Sequence, residues 1–263
     1  THFRHEGSPV LNLHPPEELQ SVQRSTLDLI QQLNIRHAQA RPGVLDLDGR
    51  IASYELAYRM QSEAMEIGEL ANETSSIQNL YGIHDKNKDK ATFARMCLTS
   101  RRLVEKGVRF VQLYNAVDKL GWDGHGNNHE FHQRNSAQTD GPIAALLTDL
   151  KQRGLLDSTL VVWAGEFGRT PKIFGLPAHY KLPGRDHWGG VQSVFFAGAG
   201  IPGGTVVGSS DKNGGFPATE PYTPENFAAT IYHALGIPSD AVWHDATQRP
   251  NNIYYGTPIP AFS

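Results

Sequence analysis

A chain of 263 residues can bury a substantial core as one large domain or two small ones, which excludes peptide-sized and purely disulfide-stapled classes. Lys plus Arg number 24 against 27 for Asp plus Glu, a formal net charge of −3; this is far from the basic balance that a phosphate backbone demands, so no nucleic-acid partner is expected. Hydrophobic residues make up 39% with a mean hydropathy of −0.42, and no window approaches the roughly 20 apolar residues of a membrane span.

Cys97 is the single cysteine, which rules out an intramolecular disulfide and any Cys-based zinc or iron–sulfur cluster while leaving the compartment open. The chain starts at Thr1 on a polar, His-rich stretch, THFRHEGSPV, with neither a signal-peptide nor a transit pattern. It reads as a piece of a longer protein.

No internal repeat or low-complexity tract interrupts the order of periodic segments. After Pro15, Pro16, Glu17 and Glu18, apolar residues at Leu19, Val22, Leu29, Ile30 and Leu33, with Thr26, keep near-3.6 spacing and predict an amphipathic helix. Arg41-Pro42-Gly43 and Asp48-Gly49 are turn signals. A second helix is expected from Ile51 to about Leu70, with Ile51, Tyr54, Tyr58 and Met65 on one face. A third, from Lys90 to Lys106, carries Phe93, Met96, Cys97, Leu103 and Val104, and Gly107 stands where a left-handed cap belongs.

The β-branched and aromatic run Val108–Tyr114 then predicts a strand. Ile143, Leu146, Leu147 and Leu150 predict a helix ending near Gly154, and Thr159–Trp163 is apolar enough to be a strand buried on both faces. Val191–Ala197 predicts a third strand, followed by Gly-rich turns and a short Thr205–Val207 segment. Thr223-Pro224-Glu225 opens a last helix through Phe227, Ile231 and Leu235 to Gly236. The alternation predicts an α/β fold, a mixed, largely parallel sheet with helices on both faces, with residues 1–90 as a mainly helical insert or flap and 91–263 as the α/β core.

In such sheets ligands gather beyond the carboxyl ends of strands, and three loops stand out. Gly121-Trp122-Asp123-Gly124-His125-Gly126-Asn127-Asn128-His129 offers a carboxylate and imidazoles among glycines, ligand types suited to Zn²⁺ or a similar divalent ion. Ala164-Gly165-Glu166-Phe167-Gly168-Arg169 puts Glu166 and an oxyanion-binding guanidinium, Arg169, just past a strand. Gly184-Arg185-Asp186-His187-Trp188 leads into the third strand; adjacent Asp186 and His187 point to opposite faces, so one binds metal while the other fixes its surroundings. The bland alternatives are an Asp-Gly turn with solvated histidines, a Glu166–Arg169 ion pair closing a loop, and a histidine packed under Trp188.

Other matches fail on context. Gly198-Ala199-Gly200-Ile201-Pro202-Gly203 fits a dinucleotide-binding pattern, but Pro202 and Thr205–Val207 continue as turn and strand, so no helix awaits a pyrophosphate. No G-x-S-x-G elbow and no P-loop occurs. Cys97-Leu98-Thr99-Ser100-Arg101 is similar to the sulfatase maturation motif, yet carries Thr99 where that motif has Pro or Ala, and Cys97 falls on an apolar helix face; it reads as a structural thiol. His129 and His132 read as a polar helix face.

Taken together, FRHEGSPVLNL, RRLVEKGVRFVQLYN, GWDGHGNN, LVVWAGEFGRTPK, GRDHW and TPENFAATIYHALGI resemble the bacterial domain-of-unknown-function family number 1501, which is common in planctomycetes and placed in the alkaline phosphatase/sulfatase superfamily. The resemblance implies an alkaline phosphatase-like core with two adjacent metal sites, hydrolysing phosphate or sulfate esters through a Ser, Thr or formylglycine nucleophile. It implies that Asp123 with His125 (or His129) and His187 form one metal site and Glu166, with Asp186, the other, while Arg169 neutralises a small anionic ester substrate. The ions expected are divalent, Zn first, with Mg, Mn or Ca as alternatives. Phe167 departs from the Asp-His that relatives carry, and the nucleophile-bearing first strand is missing from the chain. The resemblance also implies export to the periplasm or beyond. The rival expectation is a non-catalytic, exported metal- or carbohydrate-binding protein on the same fold.

Overall fold

A computed structural model describes residues 17–41, 49–55, 58, 66–115 and 121–262. Helices α1 (Glu17–Gln20) and α2 (Gln23–Gln39) precede α3 (Ser75–Tyr81), α4 (Lys88–Glu105), α5 (Asn128–Gln152) and α6 (Pro224–Ala234). Residues 49–55 and 66–68 are also helical, covering parts of the helix expected from Ile51 to Leu70. Met65, Pro42, Gly43 and the FRHEGSPVLNL stretch lie outside the described residues.

Helix ends follow local chemistry. Thr74 Oγ1 accepts from the Ile77 N–H to start α3, and the Asn87 side chain accepts from the N–H groups of Asp89 and Lys90 to start α4, two residues before the first apolar position had suggested. At the far end Gly107 takes φ 81°, its N–H donates to Val104 O, and that of Val108 donates to Leu103 O, the paired bonds of a left-handed cap. In α6, Pro224 occupies the first turn and Asn226 Oδ1 accepts from the Thr223 N–H.

The core is the packing of α4 on α5. Tyr81, Ile83, Phe93, Ala94, Cys97, Leu98, Ala145, Leu146 and Leu150 form one buried cluster, with Leu113 and Val161 against its edge. Cys97 is fully buried and burial pushes its thiol up to about 12, which makes it a packing group rather than a nucleophile.

A polar knot is sealed into the same interface. Arg101, 1% exposed, places Nε 2.9 Å from Asp149 Oδ2 and Nη2 2.8 Å from Glu73 Oε1, and pairs through Nη1 with Glu105. Arg153 binds Asp149 at 2.7 Å and Glu105 at 2.6 Å, Arg102 binds Glu73 at 2.9 Å, and the Tyr81 hydroxyl donates to Asp149 Oδ2 at 3.0 Å. Burial, with the Asp149 charge beside it, raises the Tyr81 phenol above its ordinary range.

The expected α/β architecture, a mixed and largely parallel sheet with helices on both faces, is not what the chain forms. The strands among the described residues are two or three residues long, and they pair as three separate antiparallel ladders: β1 (Val161–Trp163) with β4 (Phe195–Ala197), β2 (Gly168–Arg169) with β3 (His187–Trp188), and β5 (Val242–His244) with β6 (Pro250–Asn252). The fold is predominantly helical. A doubly buried strand needs a layer on each face, and here the apolar runs gain cover on one: Leu113 and Val161 lie on the helical core, while Phe110 is 79% and Trp163 49% exposed. Residues 108–110 are exposed and 111–115 alternate between half-buried and exposed positions, without joining a described ladder, and Thr205–Val207 forms no strand.

The helix expected around Ile143–Leu150 is the C-terminal part of a 25-residue helix that continues through Gly141 and Pro142. No described helix is long and apolar enough to cross a membrane.

Removing Asp149 takes one carboxylate from the buried Arg101 guanidinium and the acceptor from the buried Tyr81 phenol. Asp149→Ala is expected to lower the free energy of urea unfolding by about 3–5 kcal/mol; a loss below about 1 kcal/mol would show that the knot does not hold the helices together.

Candidate metal centre

The first loop, 121–127, is fastened at both ends. Trp122 Nε1 donates to Asn115 Oδ1 at 2.8 Å and its ring meets Trp163 and His132 edge-on at 6.2 and 5.9 Å. Asn135, buried in α5, donates to Gly121 O at 2.7 Å. Asn127 closes the loop: its N–H donates to Leu182 O at 3.1 Å, and its Oδ1 accepts from the Leu182 N–H at 2.8 Å.

The second and third loops form one irregular hairpin. Arg169 stands opposite His187 in the β2–β3 ladder, Thr170 N–H donates to Asp186 O at 2.9 Å, and Phe174 and Gly184 exchange backbone bonds at 3.0 and 2.9 Å. Cross-strand partners project on one face, so Arg169 and His187 reach the same carboxylate. Gly184 lets this hairpin lie against the first loop: a Cβ there would sit 2.0 Å from His125 O and 2.6 Å from Gly126 Cα.

Three nitrogens converge on Asp123 Oδ1: His187 Nε2 at 2.8 Å, Arg169 Nη2 at 3.1 Å and His125 Nε2 at 3.2 Å. The hydrogen bond from His187, then that from Arg169, brings the Asp123 carboxyl down to about 2. His125 is held from its other side by Asp186 Oδ1, 3.1 Å from Nδ1. The His187 backbone N–H and the nearby imidazoles lower the Asp186 carboxyl as well. The His187 ring rests against Phe167 at 4.4 Å and His125 at 4.8 Å.

Asp123, His125 and His187 each offer a ligand atom, and these atoms lie within 4.8 Å of one another. The set suits a borderline divalent ion, because two neutral imidazoles and a carboxylate match the preferences of Zn²⁺ and its first-row neighbours. Asp123 and His187 are 56% and 42% exposed and His125 27%, so an ion held there keeps a face toward solvent. The Asp186–His125 bond leaves Nε2 turned to the cluster, the usual role of a carboxylate behind a metal-binding imidazole.

The other expected residues are placed differently. Glu166 is exposed and lies outside the group of three, Asp186 backs His125, and His129 is exposed on α5. The ring of Phe167 on His187 and the double anchoring of Trp122 were not read from the sequence; the aromatic residues inside both Gly-rich loops were their one visible signal. The implied bimetallic ester-hydrolase centre, phosphatase- or sulfatase-like, is corrected accordingly. It requires a sheet-rich, alkaline phosphatase-like core to present two ligand sets, and the described residues provide short ladders and one set.

Gly184→Ala is expected to push the His125 loop off the hairpin and weaken binding of a divalent ion about tenfold or more, with thermal unfolding little changed because the α4–α5 core is untouched. Titration of Zn²⁺ against a chromogenic chelator measures the first, and calorimetry the second; unaltered Zn²⁺ affinity would show that the close approach does not set the site.

No curated protein and no solved structure matches the chain. A family model described as protein of unknown function, DUF1501, matches residues 1–260, and with nearly its whole length inside that match the chain belongs to the DUF1501 family.

Proposed function

We propose that this chain is a divalent-metal-binding protein that holds one ion, Zn²⁺ in preference to Mg²⁺, Mn²⁺ or Ca²⁺, through Asp123, His125 and His187, with a coordination position open to an exogenous ligand. The observation that carries the reading is the convergence of three ligand atoms, from two separate loops, within 4.8 Å. Two imidazoles favour Zn²⁺ over the hard cations, which prefer all-oxygen shells. Three protein ligands are the number typical of sites that keep an exchangeable position, whereas closed structural sites use four. The carboxylate of Asp186 behind His125 supports the same reading, since a solvated turn has no need of a histidine held between two carboxylates.

The ligands bind in their deprotonated forms, so affinity falls on acidification. Elemental analysis of the purified chain is expected to find about one Zn²⁺ per chain, lost in Asp123→Ala and in His187→Ala but retained in Glu166→Ala and His129→Ala. Equal metal content in all four variants, or none in the parent chain after incubation with Zn²⁺, would overturn the reading.

Asp186→Asn tests the orienting role separately. It is expected to keep the stoichiometry and weaken Zn²⁺ about 10- to 100-fold. Complete loss of the ion would make Asp186 a ligand, and unchanged affinity would leave it no part in the site.

A further inference from the structure

Helix α2 is apolar on two opposite faces, and the described residues cover only one of them. Leu27, Ile30 and Asn34 look across a crevice at Ile51 and Glu55 of the helix at 49–55. Arg24 fastens that side, with Nη2 3.3 Å from Glu55 Oε2 and its guanidinium 4.7 Å above the Tyr58 ring. The other face carries Leu29 and Leu33 and runs back through Val22 to Leu19 of α1; these four are 57%, 55%, 46% and 49% exposed, and α2 has no buried residue. A helix with apolar residues on opposite sides belongs between two partners.

The turn at Ser21 and Val22 does not break the second face. Val22 keeps right-handed backbone angles, φ −107° and ψ −4°, its N–H donates to Leu19 O at 3.2 Å, and its O accepts from the Thr26 N–H at 2.9 Å. Leu19, Val22, Thr26, Leu29, Leu33 and Arg36 therefore follow one another at alternating steps of three and four. That is the 3.5-residue repeat of a seam between two helices.

The seam is complementary to itself in one direction. Turned antiparallel about a two-fold axis between Leu27 and Asp28, Val22 meets Leu33 of a second copy, Thr26 meets Leu29, and Leu19 meets Arg36. Charge selects the same direction. Glu17 and Glu18 stand exposed at one end and Arg36 exposed at the other, so antiparallel copies set each acidic end beside a basic one and oppose their helix dipoles. Parallel copies would instead stack Arg36 on Arg36 and bring the two Glu18 carboxylates together. Residues 17–40 hold three acids and two arginines, which is not the basic face of a helix that lies on a membrane. We propose that α1 and α2 form a self-association surface on which a second copy of this chain docks antiparallel, an isologous contact that closes the seam from Leu19 to Arg36.

The test is sedimentation equilibrium of the whole chain over a range of concentrations. A reversible dimer is expected, with a dissociation constant on the order of 10 µM, as suits a short seam. Leu29→Asp is expected to weaken it about 100-fold or more, because a carboxylate is then buried twice without a partner, while circular dichroism and thermal unfolding stay unchanged. Glu18→Arg is expected to weaken the dimer about 2- to 30-fold by setting an arginine against Arg36 in two symmetric places. Combining it with Arg36→Glu restores the parent affinity only if the copies are antiparallel. A chain that stays monomeric at about ten times the expected constant, a dimer indifferent to Leu29→Asp, or a double variant no tighter than Glu18→Arg alone overturns the proposal. So does a monomer that Leu29→Asp destabilises, since the face is then covered within the chain, and a monomer that sediments with vesicles of phosphatidylcholine and phosphatidylglycerol, since the face then meets lipid.

Discussion

The guanidinium of Arg101, withdrawn from water between α4 and α5, is the constraint from which the rest of the architecture follows. A charge in that position is tolerable only if its partners come with it, and they arrive from three parts of the chain: Glu105 from α4, Asp149 from α5, and Glu73 from the turn before α3. Arg102 and Arg153 close the set, giving three guanidinium groups to three carboxylates with Tyr81 as an additional donor. Apolar packing of Leu98, Phe93 and Leu146 supplies the driving force, but it is non-directional. The knot fixes which turn of α4 faces which turn of α5.

That fixed helix carries the site. α5 spans 25 residues, about 37 Å at 1.5 Å per residue. Asp149 near its C-terminus is tied into the knot, Asn135 pins Gly121, and Asn127, the residue before the helix, opens onto the loop of Asp123 and His125. Pro142 sits inside the helix and is buried, where its lack of an N–H leaves the carbonyl of Gln138 without its intrahelical donor. The helix runs through this point because both neighbouring turns are packed, so the loss of one bond is small beside the contacts on either side.

These relationships were unequally legible in the sequence. The caps of α4 and α6, the buried thiol of Cys97, and the three loops rich in Asp, His and Arg were readable because each depends on residues within a few positions of one another. The role of Arg101 is not legible because two of its three carboxylate partners, Glu73 and Asp149, come from distant segments, and its one local pair, with Glu105 four residues on, looks like any exposed helix ion pair. The start of α5 is legible as the polar helix face of His129 and His132, but its continuity to Ile143 is not, because the polar residues between, Asn135 and Gln138 among them, are buried through hydrogen bonds that periodicity does not reveal. The sheet was overestimated for a related reason. Apolar runs such as Thr159–Trp163 report that a segment has something to cover, but whether it lies in a doubly covered sheet or on the flank of a helix pair is decided by distant parts of the chain.

A site can nonetheless be placed without the sheet that was expected to present it. Two residues of ladder, Gly168–Arg169 against His187–Trp188, suffice to put a guanidinium and an imidazole side by side, and two hydrogen bonds between Asn127 and Leu182 bring the loop of Asp123 and His125 to meet them. What gives this small assembly its precision is close backbone contact rather than strand length: Gly184 against the His125 carbonyl, and likewise Gly168 against Val191 O, where a Cβ would lie 1.9 Å away. Fold class and site chemistry are separable here, as they are in general. The ligand set is a property of two short loops, and its rigidity is inherited through α5 from a charged knot at the other end of the same helix.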